Sequence, residues 1–216
     1  MIYISGLVGF LLVLTAEARV GKSSELDFCS ETDECCLFDL ICRTDDYEVR
    51  RYDSVNWVST SETSMMMEVA NVRSFRRLFA YIKENNVEMT TPVLVKLSKK
   101  TSIWQSITYT MSFLLPSKHQ MNPPKPTDDK VYIEKIPDMK VYVRSYGGWM
   151  MSWSEAKEAG TLSSALDSVG AQYSKTFHYA VGYNSPMTMF NRHNEVWYVV
   201  EDEPVCVSSI SSEEMG

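Results

Sequence analysis

The sequence has no surplus of positive charge: 21 Lys and Arg stand against 28 Asp and Glu, a formal charge of −7. Its basic residues are scattered except on one predicted helix, so the broad electrostatic footprint that a nucleic-acid backbone demands is missing, and no DNA or RNA partner is expected. Past the N-terminus, no apolar run approaches the roughly 20 residues of a bilayer-spanning helix. There is no Ser-His-Asp order, no His-rich metal motif and no phosphate-cradling glycine loop. Nothing here supports catalysis, and the chain is expected not to be an enzyme. The cysteines Cys29, Cys35, Cys36 and Cys42 lack the C-x2-C steps of a zinc ribbon, so no metal site is assigned to them.

What remains is an ordinary soluble composition, 44% hydrophobic and 23% charged over 216 residues. That length holds one domain of about 150 residues with appendages. Residues 1–18 are apolar and end in Ala16-Glu17-Ala18, the small-x-small pattern of a cleaved signal peptide, although no Lys or Arg precedes the apolar run. Loss of Glu17 with this segment changes the formal charge from −7 to −6. The mature chain is expected to be secreted and extracellular, with no membrane partner after cleavage. In an oxidising compartment the four clustered cysteines and Cys206 read as disulfide candidates. Their connectivity stays open, but a bridge from Cys206 to the cluster would tie the chain ends together. Five is odd, which leaves one thiol for a protein partner or a disulfide-linked dimer. Residues 19–46 form an acidic, cysteine-rich extension too small for a core of its own, and 205–216 a C-terminal tail.

Between these ends lies a domain at 47–204. Phe75, Leu78, Phe79 and Ile82 fall at i, i+3, i+4 and i+7, one apolar helical face, with Arg73, Arg76, Arg77 and Lys83 around the rest. Asn71 is the expected cap and Asn85-Asn86 the stop. Ser64-Met65-Met66-Met67 ahead of it is a pliable apolar run, read as core filling. Leu162, Ala165, Leu166 and Val169 repeat the helical pattern 87 positions on, behind a capping box at Ser152-Trp153-Ser154-Glu155. Strand pairs turn at Asp53-Ser54 and at Pro137-Asp138, and strands follow each helix, one opening at Pro92 and others near Phe177 and Glu195. Tyr109, Met111, Phe113 and Leu115 alternate with polar residues, which predicts a strand covering a core on one side only. The prolines of 116–129 make that stretch a connector without regular structure. The chain thus reads as two copies, about 47–115 and 130–204, of a strand-strand-helix-strand-strand unit.

Six ordered motifs resemble the SOUL/haem-binding protein family: Tyr47-Glu48-Val49-Arg50-Arg51-Tyr52, Leu78-Phe79-x-Tyr81-Ile82, Met89-Thr90-x-Pro92-Val93, Phe113-x-Leu115-Pro116-Ser117, Pro124-Lys125-Pro126-x-Asp128, and Gly182-Tyr183-x-x-Pro186 followed by Asn194-Glu195-Val196-Trp197. The resemblance implies an α+β fold, a distorted antiparallel β-barrel of about eight strands with two flanking helices and a pseudo-twofold repeat. It also implies reversible, non-covalent binding of haem or another tetrapyrrole in an apolar cleft beside the first helix and the Gly-Tyr-x-x-Pro loop. On that reading Phe75, Phe79, Ile82, Tyr183 and Met187 line the slot while Arg73, Arg76 or Lys83 meet the propionates. No axial iron ligand carries over; His193 is the nearest candidate, and a C-x-x-C-H attachment is lacking. The bland alternative for Leu78 and Ile82 is a helix face packed on a sheet. The leader and the cysteine cluster depart from cytosolic members, and Asn184-Ser185 replaces a common Asp-Pro in the loop. An alternative role is extracellular interaction or signalling on a barrel scaffold with no tetrapyrrole. A weaker one is a hydrolase built on Glu195 beside Trp197.

Overall fold

The computed structural model describes residues 19–100, 102 and 104–207; the expected signal segment and most of the tail lie outside them. Eleven strands and three helices follow in chain order: β1 (Val20–Lys22), β2 (Glu34–Cys36), β3 (Phe38–Arg43), β4 (Glu48–Tyr52), β5 (Val55–Ser64), α1 (Met67–Glu84), β6 (Val93–Ser98), β7 (Ile107–Leu114), α2 (Ser117–Gln120), β8 (Val131–Ile136), β9 (Met139–Tyr146), α3 (Ser152–Ser168), β10 (Phe177–Gly182) and β11 (Asn194–Val199). Strands β1 and β2 pair separately. The other nine form one curled antiparallel sheet in the order β3-β4-β9-β11-β10-β6-β7-β5-β8.

Leave out β3 and that order is its own mirror image under exchange of the two copies: β4 for β8, β5 for β9, β6 for β10 and β7 for β11. The duplication inferred from period and punctuation is therefore built into the sheet, with the pseudo-twofold between β6 and β10, where Val95 faces Ala180 and Val93 faces Gly182. The pairing itself differs from the expectation of local strand pairs. β4 pairs with β9 and β8 with β5, so each copy lends its first strand to the other. Neither half can bury its own apolar faces alone, and this exchange joins them into one sheet.

Side-chain alternation assigns each strand residue to one of two faces. On the first, α1 packs against Met111, Phe113, Val58 and Val95, and α3 against Tyr142, Val49 and Val196. On the second, Tyr52, Trp57, Leu94, Val181 and Trp197 are covered by the N-terminal extension through Cys29, Cys35, Phe28 and Phe38. The extension is thus more than an appendage: β3 is the ninth strand, and the rest closes a core. Because both faces are covered there, the second half of β7 is buried on both, with Ser112 and Leu114 as hidden as Met111 and Phe113, while Thr108 near its start is exposed. That corrects the one-sided reading, which missed the second layer.

Helix α1 begins at Met67, four residues before the expected cap, because Met67 and Ala70 continue its buried stripe to Ser74, Leu78 and Tyr81. The Met run divides accordingly, Met67 in the core and Met65 and Met66 in solvent. Helix α3 is capped one residue earlier than the Ser152 box: Ser154 Oγ accepts the Met151 amide at 3.0 Å, which frees Glu155 to turn inward. The proline connector holds one regular turn, α2, whose Gln120 side chain bonds Asn56 N and O and Leu115 O. Disulfides join Cys29 to Cys35 and Cys42 to Cys206, the latter across 164 positions as the sequence allowed. Cys36 is the odd thiol and is buried, its pKa pushed up to about 12 by burial and by Asp53, so it offers no surface sulfur for a second chain.

Candidate functional site

The residues expected to line a slot beside α1 fall on opposite sides of the sheet. Phe75 stacks on Phe79 and edges onto Phe113, and Ile82 is 4% exposed, so these three pack into the α1 core. Arg73 pairs with Glu62, Arg76 is exposed, and Lys83 sits over the Phe79 ring at 4.7 Å. Tyr183 continues the Val181 parity onto the second face and is buried there. Met187 stands in solvent. A register of two residues per pleat separates Tyr183 from α1 by the thickness of the sheet, and no slot joins them.

Tyr183 belongs instead to a buried network centred on Glu195. Arg50 Nη1 donates to both Glu195 oxygens at 3.0 and 3.2 Å, the Tyr183 hydroxyl donates at 3.0 Å and Trp197 Nε1 at 2.7 Å, and His193 Nε2 lies at 2.8 Å. Burial works against this carboxylate, yet the Arg50 charge and the donors from His193 and Trp197 hold it below the usual range. Phe28 stacks on His193 at 4.4 Å and edges onto Tyr183 at 4.9 Å, while Phe38 lies under the Arg50 guanidinium at 4.1 Å. With its lone pairs taken and a lid above, Glu195 is a structural anchor with nothing left for a substrate, and His193 serves it as a partner.

The open cleft lies on the helix face, between α3, the start of α1 and the ends of β6, β7 and β10, and has a volume of about 450 Å³. Tyr109, Tyr173, Phe177 and Tyr198 supply aromatic walls, His178 and Glu155 a polar floor, and Lys99, Lys100 and Lys175 stand at its rim. His178 Nε2 lies 2.5 Å from Glu155 Oε1, a pair 12% and 4% exposed. Burial, with Glu155 nearby, pushes Tyr109 and Tyr198 up to about 12, so both stay protonated hydroxyls. Lys175 is paired with Asp167 and lies over the Tyr173 ring at 3.6 Å. Gly160 of α3 borders the cleft, and a Cβ there would meet no atom within 4 Å.

None of these lining residues is expected from the sequence to form the ligand site: there Tyr109 and Phe177 are strand positions, Glu155 part of a cap and His178 a strand histidine. The alternation that put Tyr109 on one face was visible, but the meeting of His178 with Glu155, 23 positions earlier, depends on how α3 crosses β10. Among the described residues no group of three or more His, Cys, Asp or Glu could hold a metal ion directly. The volume falls within the roughly 300–1,000 Å³ of small-molecule sites. Aromatic walls, an imidazole and a lysine rim match a flat, apolar ligand that carries anionic groups.

A duplicated α+β half-barrel with an aromatic cleft between its two long helices defines the class. The profile of the family described as SOUL heme-binding protein matches residues 33–199, and the chain belongs to that family. It is 36% identical to human heme-binding protein 2 over 163 residues, 73% of this chain and 80% of that protein. With bovine heme-binding protein 1 it shares 29% over 170 residues, 73% and 84% of the two chains. These relatives are named for binding and not for a reaction. Among solved structures, the C-terminal domain of EcmrR superposes with a TM-score of 0.50 at 10% identity, over 77% of this chain and 99% of that one. EcmrR in its DNA complex gives 0.54 at 10% identity, over 73% and 59%. At that identity the likeness concerns the fold alone.

Proposed function

We propose that the chain binds haem or a related tetrapyrrole, reversibly and without covalent attachment, in the cleft between α3 and the sheet, and that it does so as a secreted, non-enzymatic protein. The observation that carries this reading is the cleft's chemistry in a member of this family: aromatic walls, one imidazole and three lysines around about 450 Å³. Apolar area of a planar macrocycle removed from water contributes roughly 25 cal/mol per Å². Lys99 and Lys100 would meet its carboxylates as charge-assisted donors, Lys175 being paired with Asp167. Bound there, the group would supply an iron centre open to a side-chain ligand and a strong visible absorption. His178, held in orientation by Glu155, is the cleft residue suited to that role, and it replaces His193. Secretion is supported by two disulfides, which persist in oxidising compartments.

The test is a hemin titration of the chain from Arg19 onward, followed at the Soret band. A saturable shift at micromolar protein is expected, lost by at least about tenfold in affinity in Gly160→Trp, which places an indole at the border of the cleft where a Cβ meets no atom within 4 Å. Absence of a shift, or a shift unaltered by that substitution, would remove the cleft from the proposal.

A further inference from the structure

One end of the molecule is apolar and exposed. Helix α1 carries Met65 and Met66 just before its start and Val69 and Val72 along its outward stripe. Trp153, 72% exposed, lies in the first turn of α3, which is fastened beside α1 because Ser152 donates its amide and hydroxyl to Glu68 at 2.8 and 2.6 Å. The β10–β11 loop also exposes Met187 and Phe190, but it follows Gly182, at the other end of β6 and β10 from the β6–β7 connection, and is not part of this surface. Trp104, 75% exposed, stands in the β6–β7 connection, four residues past the cleft-lining Lys100, whose ammonium bonds Met65 O.

Basic groups flank this surface although the whole chain is acidic. The outward stripe of α1 continues one turn on into Arg73 and Arg76, and Lys99 and Lys100 lie on the cleft side. The nearby acids are already engaged: Glu68 by Ser152, Asp167 by Lys175 and Glu62 by Arg73 and Arg77. Tryptophan and methionine tips with arginine and lysine one turn behind are the arrangement that sits at a head-group boundary, where aromatic rings straddle the interface and cations reach phosphate.

We propose that this end docks on the surface of an anionic lipid bilayer, with Trp104 and Trp153 inserted at the head-group level. This departs from the sequence expectation of no membrane partner. No helix among the described residues is long and apolar enough to cross a membrane, so the contact is peripheral. It also brings the cleft mouth to the lipid surface, where amphiphilic macrocycles partition; that last consequence alone rests on the tetrapyrrole reading.

The experiment is flotation of the chain from Arg19 onward, without hemin, on vesicles of phosphatidylcholine and on equimolar phosphatidylcholine and phosphatidylserine. The chain from Arg19 carries every element found among the described residues and omits the apolar segment 1–18. Binding to the anionic vesicles is expected, reduced about tenfold or more in a Trp104→Ser, Trp153→Ser double variant and made insensitive to salt in Arg73→Gln, Arg76→Gln. All four side chains are exposed, and circular dichroism verifies that the variants remain folded. Wild-type chain left unbound by anionic vesicles at low salt, or variants that float as well as the parent, would overturn the proposal. So would a dimer in sedimentation that the tryptophan variant abolishes without any vesicle binding, since the patch would then be an interface between copies.

Discussion

Glu195 is completely buried beside the second core and takes bonds from Arg50, Tyr183, Trp197 and His193. Removing its charge leaves the Arg50 guanidinium, 2% exposed, with Glu48 at 2.7 Å as its remaining carboxylate and the Tyr183 and Trp197 donors without their acceptor charge. Glu195→Gln is therefore expected to cost about 1.5–3 kcal/mol in urea unfolding, the scale of charge-assisted hydrogen bonds lost in a buried site. Its folded pKa lies below the unfolded value of about 4.3, so the stability it contributes is present above that value and lost as pH falls through the lower, folded one. A plot of unfolding free energy against pH should accordingly drop on the acid side in the native chain and be flatter there in Glu195→Gln. An unchanged acid limb would show that other carboxylates dominate.

At the level of elements, α1 and α3 test where periodicity stops being a sufficient guide. If α1 begins at Met67, truncating that side chain opens a cavity, and Met67→Ala should cost about 2–5 kcal/mol, while Met66→Ala, one position earlier and exposed, should cost almost nothing. Equal effects would place the helix start elsewhere. In α3, Gly160 occupies the helix interior with open space around it, so Gly160→Ala should raise stability by about 1 kcal/mol in the same assay. The helical faces at 75–82 and 162–169 were legible because an apolar stripe repeats every 3.6 residues. The caps were not. Ser152-Trp153-Ser154-Glu155 satisfies a capping box on paper, yet Glu155 has a better partner in His178, and only the packing of α3 on β10 reveals it.

For the whole molecule, the extension and the far end are held by Cys42–Cys206. Opening a loop of that length releases chain entropy in the unfolded state, and the Cys42→Ser, Cys206→Ser variant should lose about 2–5 kcal/mol while keeping the sheet's circular dichroism. Thiol counting gives a separate check. The native chain should react with Ellman's reagent only on unfolding, at Cys36, and a thiol titrating under native conditions would contradict the buried assignment.

The amino-acid order by itself determined the duplicated α+β architecture, the two long helices, the strands of 47–204 and the family, because each is written in local period, turn chemistry and motif sequence; the three strands of the extension were not legible. The choice of face was decided only in three dimensions. A strand's parity says which residues share a side but not what covers it, so Tyr183 could be paired on paper with Phe75 and Phe79 although the sheet lies between them. Phe28 and Phe38 seal that second side from an extension with no visible periodicity. The cleft, in turn, is assembled from the start of α1, from α3 and from strand ends contributed by both copies, residues that only the folded chain brings together.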